Sequence, residues 1–188
     1  RHFMEALAID RKLGDPMITA HALAYMSQTV QALGETAEAE VLLRESLALA
    51  QAIGYSSGMG HALDGLGRLA QLTSPDEARG LFAASFDVYK EMGDLRNQTR
   101  VLGHQGYNSL LLGDIADAHN SFIAVLRLAR EGGYVPYALD ALAGLASLQT
   151  KRGNVDQAFE FLLIVLDHPA GIRETRNRAA HLRAELET

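Results

Sequence analysis

The sequence predicts an all-α fold, a solenoid of antiparallel helix pairs closed by a C-terminal capping helix. Three observations carry this. Glycines that end helical patterns fall at Gly14, Gly54, Gly93 and Gly133, spaced 40, 39 and 40 residues apart, and self-similarity at a period of roughly 20 to 50 residues marks a stacked repeat array. Between them lie inner turns at Gly34, Thr73 or Ser74, Gly113 and Gly153, so each repeat divides into two helices. No stretch shows the sustained period-two alternation, bounded by turn residues, that a strand requires. The most legible copy is Leu63-Asp64-Gly65-Leu66-Gly67-Arg68-Leu69-Ala70 with the helical run from Ala78 to Met92 that follows it.

Taken in order, residues 1–14 form half a repeat: Phe3, Ala6, Leu7 and Leu13 recur at helical spacing up to Gly14, as in the second helix of a pair. An opening at Arg1 inside a helical pattern predicts a C-terminal piece of a longer chain. It also predicts end-to-end self-association through Arg1–Leu13, because an unpartnered apolar helix face invites it. The repeat over 15–54 starts at Asp15-Pro16, a cap followed by a proline in the first turn. Its first helix stops at Gly34, and the second runs from Thr36 to Ile53 with Ala39, Val41, Leu42, Leu43, Leu47 and Ala50 inward.

The repeat over 55–93 begins near Ser56-Ser57 and turns at Thr73-Ser74-Pro75. Ser74 with Glu77 three residues on reads as a capping box. The repeat over 94–133 turns at Gly113-Asp114, and that over 134–169 opens at Val135-Pro136 and turns at Gly153-Asn154. After the break at Asp167-His168-Pro169-Ala170-Gly171, residues 170–188 hold one amphipathic helix with Ile172, Ala179, Leu182 and Leu186 on one side. A terminal repeat cannot bury both of its faces, so an array needs a polar-backed cap, and this helix fits that role.

Composition bounds the function. The chain has 188 residues, 48% hydrophobic and 21% charged, enough for a substantial core. Its net charge of -6 argues against nucleic acid, which calls for clustered Lys and Arg. The absence of cysteine removes disulfide and thiol chemistry and fits a reducing, cytoplasmic setting. No apolar run approaches the roughly 18 residues of a membrane span, and no signal-like segment opens the sequence.

Residue by residue, the repeats resemble tetratricopeptide (TPR) repeats. Small residues occupy the first helix at Leu66-Gly67 and Gln105-Gly106, with Met26-Ser27 and Leu145-Ala146 as variants. Ala39, Ala78, Ala118 and Ala158 sit early in each second helix, with Leu43, Phe82, Phe122 and Leu162 four residues later. Small residues let helix axes approach, and a bulky partner fills the groove beside them. The period is near 40 rather than the usual 34 or so, leucines at 23, 63, 102 and 142 replace the usual first-helix aromatic, and the repeat-ending proline is absent, as in a long-repeat subclass.

The resemblance implies a right-handed superhelix that binds protein or peptide on its concave face. The phrases at residues 43–50 and 126–133, and the ending His168-Pro169-Ala170 with Glu174-Thr175-Arg176, are similar to the C-terminal TPR arrays of bacterial STAND-type signalling ATPases and transcriptional regulators. There the repeats serve as sensor or scaffold, while nucleotide is bound by an upstream module whose G-x-x-x-x-G-K-[ST] motif does not occur here.

The register names the candidate partner-binding face on the first helices. Second positions are His21, His61, Arg100 and Asp140; the fifth adds Asp64; ninth positions are Gln28, Arg68, Tyr107 and Ser147; twelfth positions are Gln31, Gln71, Leu110 and Thr150. Tyr and Arg are the types that most often become hot spots. Against this stands the plainer reading of a wet helix face, since a repeat groove is polar whether or not it is used.

Gly65-Leu66-Gly67-Arg68-Leu69-Ala70 formally matches G-x-G-x-x-A, but that fingerprint needs a strand before it and a helix opening at it. In mid-helix it reads as packing, with no cofactor. His21 and His61, one repeat apart, should lie side by side; they read as groove lining rather than a metal site, for no H-E-x-x-H or close ligand pair occurs. Arg173, Arg176, Arg178 and Arg183 interleave with Glu174, Glu185 and Glu187 and read as a solvated cap face. No Ser-His-Asp set or carboxylate pair emerges. The expectation is a non-catalytic interaction or sensor module, with a structural spacer or a repeat domain sensing a small ligand as alternatives.

Overall fold

The computed structural model describes residues 15–187; the half repeat expected over 1–14, and the association surface expected on it, lie outside the described residues. Among the described residues there are nine α-helices and no strand. They are α1 (Pro16–Ala32), α2 (Thr36–Ala52), α3 (Ser56–Ala70), α4 (Pro75–Glu91), α5 (Leu95–Leu112), α6 (Ile115–Gly132), α7 (Val135–Lys151), α8 (Val155–Asp167) and α9 (Arg173–Leu186). The fold is of the all-α solenoid class that the period predicts. It divides into two compact units, Arg1–Asp94 and Leu95–Thr188.

In the N-terminal unit α1 pairs with α2 and α3 with α4, while α3 also packs on α2 and α1. Asp15 caps α1, its Oδ1 accepting from the backbone N–H of Met17 at 2.9 Å and Ile18 at 3.2 Å. Ser74 precedes α4 with Pro75 in the first turn, as expected, but its side chain makes no cap bond. With φ -144 and ψ 76 the expected capping box does not close. Gly54, which ends the helix pair with φ 67 and nothing within 4 Å of an added Cβ, is needed for the sign of its backbone angle rather than for space.

The G-x-G-x-x-A stretch is a two-sided packing device. A Cβ on Gly65 would lie 2.6 Å from Leu43 Cδ2 on α2, and one on Gly67 would lie 2.6 Å from Phe82 Cε1 on α4. Gly60 meets Tyr89 in the same way at 2.6 Å. Alternate glycines thus bring two second helices against opposite sides of α3, and Phe82 and Tyr89 are fully buried. Ala39 and Ala78, the small residues of the repeat, are likewise fully buried. Val41 departs from expectation: it is 64% exposed, because the inward stripe of α2 runs through Ala39, Leu42, Leu43, Ser46 and Ala50 and Val41 falls off that stripe.

In the C-terminal unit α5 pairs with α6 and α7 with α8; α7 packs on α6 and α5, and α9 lies against α8 and α7. Phe122 is the centre of this unit. A Cβ on Gly106 of α5 would meet its ring at 2.6 Å, and one on Gly144 of α7 at 2.3 Å, so the ring sits between two first helices. Leu110, Ala118, Val125, Ala141, Leu145 and Leu148 complete the cluster. A second cluster joins Ala143, Ala146, Ala158, Leu162 and Val165 to Ala179 of α9, with Leu182 and Leu186 packed on it. Ile172 does not share that contact. It precedes the helix and is 49% exposed.

Candidate functional site

In the N-terminal unit α1 and α3 lie side by side and carry the face in register. The rings of His21 and His61 are 6.1 Å apart, centroid to centroid, as their spacing of one repeat predicts. His21 Nε2 is hydrogen-bonded to the Tyr55 hydroxyl, with ring centroids 5.2 Å apart. His61 meets the buried Tyr89 edge-on at 5.9 Å. Tyr25, 57% exposed, stands 6.1 Å from His21. A recess lined by His21, Tyr25, Gln28, His61 and the small residues Ala20, Ala24 and Gly58 opens among them. Further along, Arg68 Nη2 donates to Gln31 Oε1 at 3.1 Å. Gln28 is exposed and Gln71 half-buried at the end of α3. Asp64 is different. It is 2% exposed, on the side of α3 that turns inward, so it cannot be a lining group for a partner.

In the C-terminal unit the face is already occupied. Tyr107 on α5 donates its hydroxyl to the backbone carbonyl of Asp140 on α7 at 2.9 Å and packs edge-on against Phe122 at 5.1 Å. From α9, Arg178 lays its guanidinium over the Tyr107 ring at 4.1 Å. The same guanidinium donates Nη1 to Asp140 Oδ1 at 2.7 Å. Thr175, fully buried, donates its hydroxyl to the same oxygen at 2.9 Å. One carboxylate therefore accepts from two donors of α9, and one cation spans α7 to reach α5. Burial pushes the Tyr107 hydroxyl well above its usual range, with the Asp140 charge adding to that and Arg178 working against it. For Arg178, burial opposes the charge, but Tyr107 and Asp140, with Glu174, outweigh it and hold the guanidinium more firmly protonated.

Arg100 is half-buried on α5. Ser147 returns its hydroxyl to Ala143 O of its own helix at 3.1 Å, as Thr150 does to Ala146 O. Leu110 is buried in the Phe122 cluster.

The cap arginines are thus not one solvated face. Arg178 is an anchor, and Arg176 Nη2 donates to the carbonyls of His168 at 2.8 Å and Pro169 at 3.3 Å, holding the break before α9. The sequence carries one signal of this: Asp140 is the single acid at a second position otherwise held by His21, His61 and Arg100. Tyr55 and Tyr89, the ring partners of the two histidines, are not legible as site residues, because Tyr55 precedes α3 and Tyr89 belongs to a second helix.

Among the described residues no group of three or more His, Asp or Glu is placed to hold a metal ion. No helix of the described residues is long and apolar enough to cross a membrane.

No family model matches this chain, and no curated protein matches it. Solved structures do. BtubC (BKLC) from P. vanneervenii superposes with a TM-score of 0.73 at 15% sequence identity, covering 98% of this chain and 72% of that one. A signal transduction ATPase with numerous domains (STAND) with a tetratricopeptide repeat sensor, from Pyrococcus horikoshii, superposes with a TM-score of 0.70 at 14% identity. That match covers 92% of this chain and 26% of the other, so this chain corresponds to about a quarter of that protein's length. At such identities the likeness is one of fold: this chain folds as helical-repeat proteins do.

Proposed function

We propose that this chain is a non-catalytic protein-interaction or sensor module of TPR type, working as part of a larger bacterial, cytoplasmic STAND-like signalling protein. The single observation that carries the reading is the contrast on the first-helix face. His21, His61, Gln31 and Arg68 stand in register on α1 and α3 with Tyr25 exposed beside them, while the corresponding face of the C-terminal unit is filled by α9. The partner is a protein or peptide segment. The N-terminal face offers two imidazoles, a guanidinium, amides and an aromatic ring, the mixture from which hot spots are built. The repeat phrases at 43–50 and 126–133 and the fold likeness to a TPR sensor support the placement in a STAND-like parent.

The test is affinity capture on this chain against a variant with His61→Ala and Arg68→Ala. His61→Ala removes one edge contact of the Tyr89 ring and neither change touches Phe82, so the variant should melt within a few degrees of the parent. Arg68 is half-buried on the surface with one amide partner, so its removal should cost about 0.5 kcal/mol or less. A protein retained by the parent and lost by the variant is the expected result. Equal capture, or none, overturns the reading in favour of a spacer.

A further inference from the structure

We propose a second site, lined by residues outside the partner-binding set: the cleft between α2, α3 and the start of α4 is a pocket for a small aromatic amine. The cleft encloses about 350 Å³, inside the roughly 300 to 1,000 Å³ of small-molecule sites. Its floor is Leu66, Leu69 and Leu81, and its rim is Thr36, Glu40, Arg44 and Glu77. None of these residues belongs to the partner-binding set.

The C-terminal unit holds a second copy of the same helix triplet, and it indicates the occupant. In register, Ala39, Leu43, Leu66, Leu69 and Leu81 of the N-terminal unit correspond to Ala118, Phe122, Leu145, Leu148 and Phe161 of the C-terminal unit. Thr36 corresponds to Ile115, which packs on that cluster as Phe161 does. The three exchanged positions are all larger in the C-terminal unit: leucine becomes phenylalanine twice, and threonine becomes isoleucine. Where the C-terminal unit closes its helix triplet with the Phe161 ring, the N-terminal unit has Leu81 and a cleft. A flat ring lying on Leu66 and Leu69 would restore the packing that the second copy makes from its own chain.

The rim sets the charge. Two carboxylates, Glu40 and Glu77, face one guanidinium, Arg44, and Arg44 is already bridged to Glu40 at 2.7 Å. One negative charge remains in excess over the three groups, which favours an ammonium and disfavours a carboxylate.

The probes are phenethylamine and its anionic near-isostere 3-phenylpropionate, each at millimolar concentration, read by amide chemical shifts and by melting temperature. Phenethylamine should shift the amides of Thr36, Ala37, Leu69 and Ala70 in a saturable way, and 3-phenylpropionate should bind several-fold more weakly. Leu81→Phe, copying Phe161, should abolish the shifts and raise the melting temperature by about 2 °C or more, since in a chain of this size each 1 kcal/mol gained is worth about 2 to 4 °C. Thr36→Ile, copying Ile115, is the milder variant and should weaken the phenethylamine response should Leu81→Phe fail to fold. No saturable shift with phenethylamine overturns the proposal. So does binding of 3-phenylpropionate as tight as that of the amine, or phenethylamine binding undiminished in a folded variant. The partner-capture result is untouched by any of these outcomes.

Discussion

The two units use one helix-pair scaffold and finish it differently. In the N-terminal unit the first-helix face carries His21 and His61 against Tyr55 and Tyr89, with Tyr25 and Arg68 accessible. In the C-terminal unit the equivalent face carries Tyr107 and Asp140, and a helix of the same chain is bound there through Thr175 and Arg178. The helices that build both faces follow the same register. What separates an open face from an occupied one is Asp140, where the other unit has His21 and His61, together with Tyr107, where it has Gln28 and Arg68, and a neighbouring helix that brings the complementary cation. A repeat array can therefore turn one binding surface into a structural joint by a change at a single position per helix.

The contrast between the units can be broken most severely at the cores. Phe122→Ala should cost about 3 to 5 kcal/mol in denaturant unfolding, the usual range for emptying a fully buried ring site, because the ring fills the space between Gly106 and Gly144. A loss under about 1 kcal/mol would mean the two glycine helices collapse onto each other, and the packing account would fail. The next effect is at the joint. Asp140→Ala leaves the buried Thr175 hydroxyl without its acceptor and Arg178 with only the exposed Glu174, at 3.3 Å, as its carboxylate partner, a change worth about 1 to 3 kcal/mol. Hydrogen exchange should accelerate across α9 while amides of α1 and α3 keep their protection. Unchanged exchange in α9 would show that Ala179, Leu182 and Leu186 hold the helix without the polar contacts.

The pH dependence follows from Tyr107. Its folded pKa is raised, so the neutral form is favoured by folding. That stability is intact below the unfolded value near 10 and declines as pH rises above it, where the unfolded chain releases a proton that the folded chain keeps. Tyr107→Phe should remove this alkaline decline while costing about 1 kcal/mol at neutral pH for the lost bond to Asp140 O. An identical decline in the variant would assign it to another group. The smallest expected effect is that of zinc. His21 already engages Tyr55 through Nε2, so saturating zinc should leave the melting temperature in place, and a clear rise would make the His21–His61 pair a ligand set.

Much of the fold is legible in the sequence because it rests on local rules that repeat. Helix-ending glycines need a backbone sign that only glycine adopts easily, and Ala39, Ala78, Ala118 and Ala158 are small where two axes touch; all four alanines are fully buried. The adjacency of His21 and His61 follows from the same register. The rest depends on contacts the register does not encode. Position puts Asp64 on the face, but it is turned inward. Charged neighbours put Arg178 in solvent, but it crosses α7 to stack on Tyr107. The Ser74 cap is defeated by its own dihedral angles. Period places a residue on a helix; what lies against it is decided by the tilt of the next helix, which no spacing states.

The ring held between Gly106 and Gly144 also constrains how this sequence can change over time. Alanine at either glycine is blocked while Phe122 stands, since the new methyl would sit 2.6 or 2.3 Å from the ring. Shrinking the ring to leucine does not by itself release Gly144: in the other unit Leu43 still comes within 2.6 Å of a Cβ at Gly65. Substitution here has an order. For Gly144 the large residue must retreat first and past leucine, and the stability lost at that step must be borne before the glycine can grow; at the position of Gly106 leucine suffices, since Ser27 stands with Leu43 and Ala146 with Leu162 in the other repeats. Descendants of this chain should therefore lose the glycine and the bulky residue together or keep both, so that the two positions vary as a linked pair across a lineage.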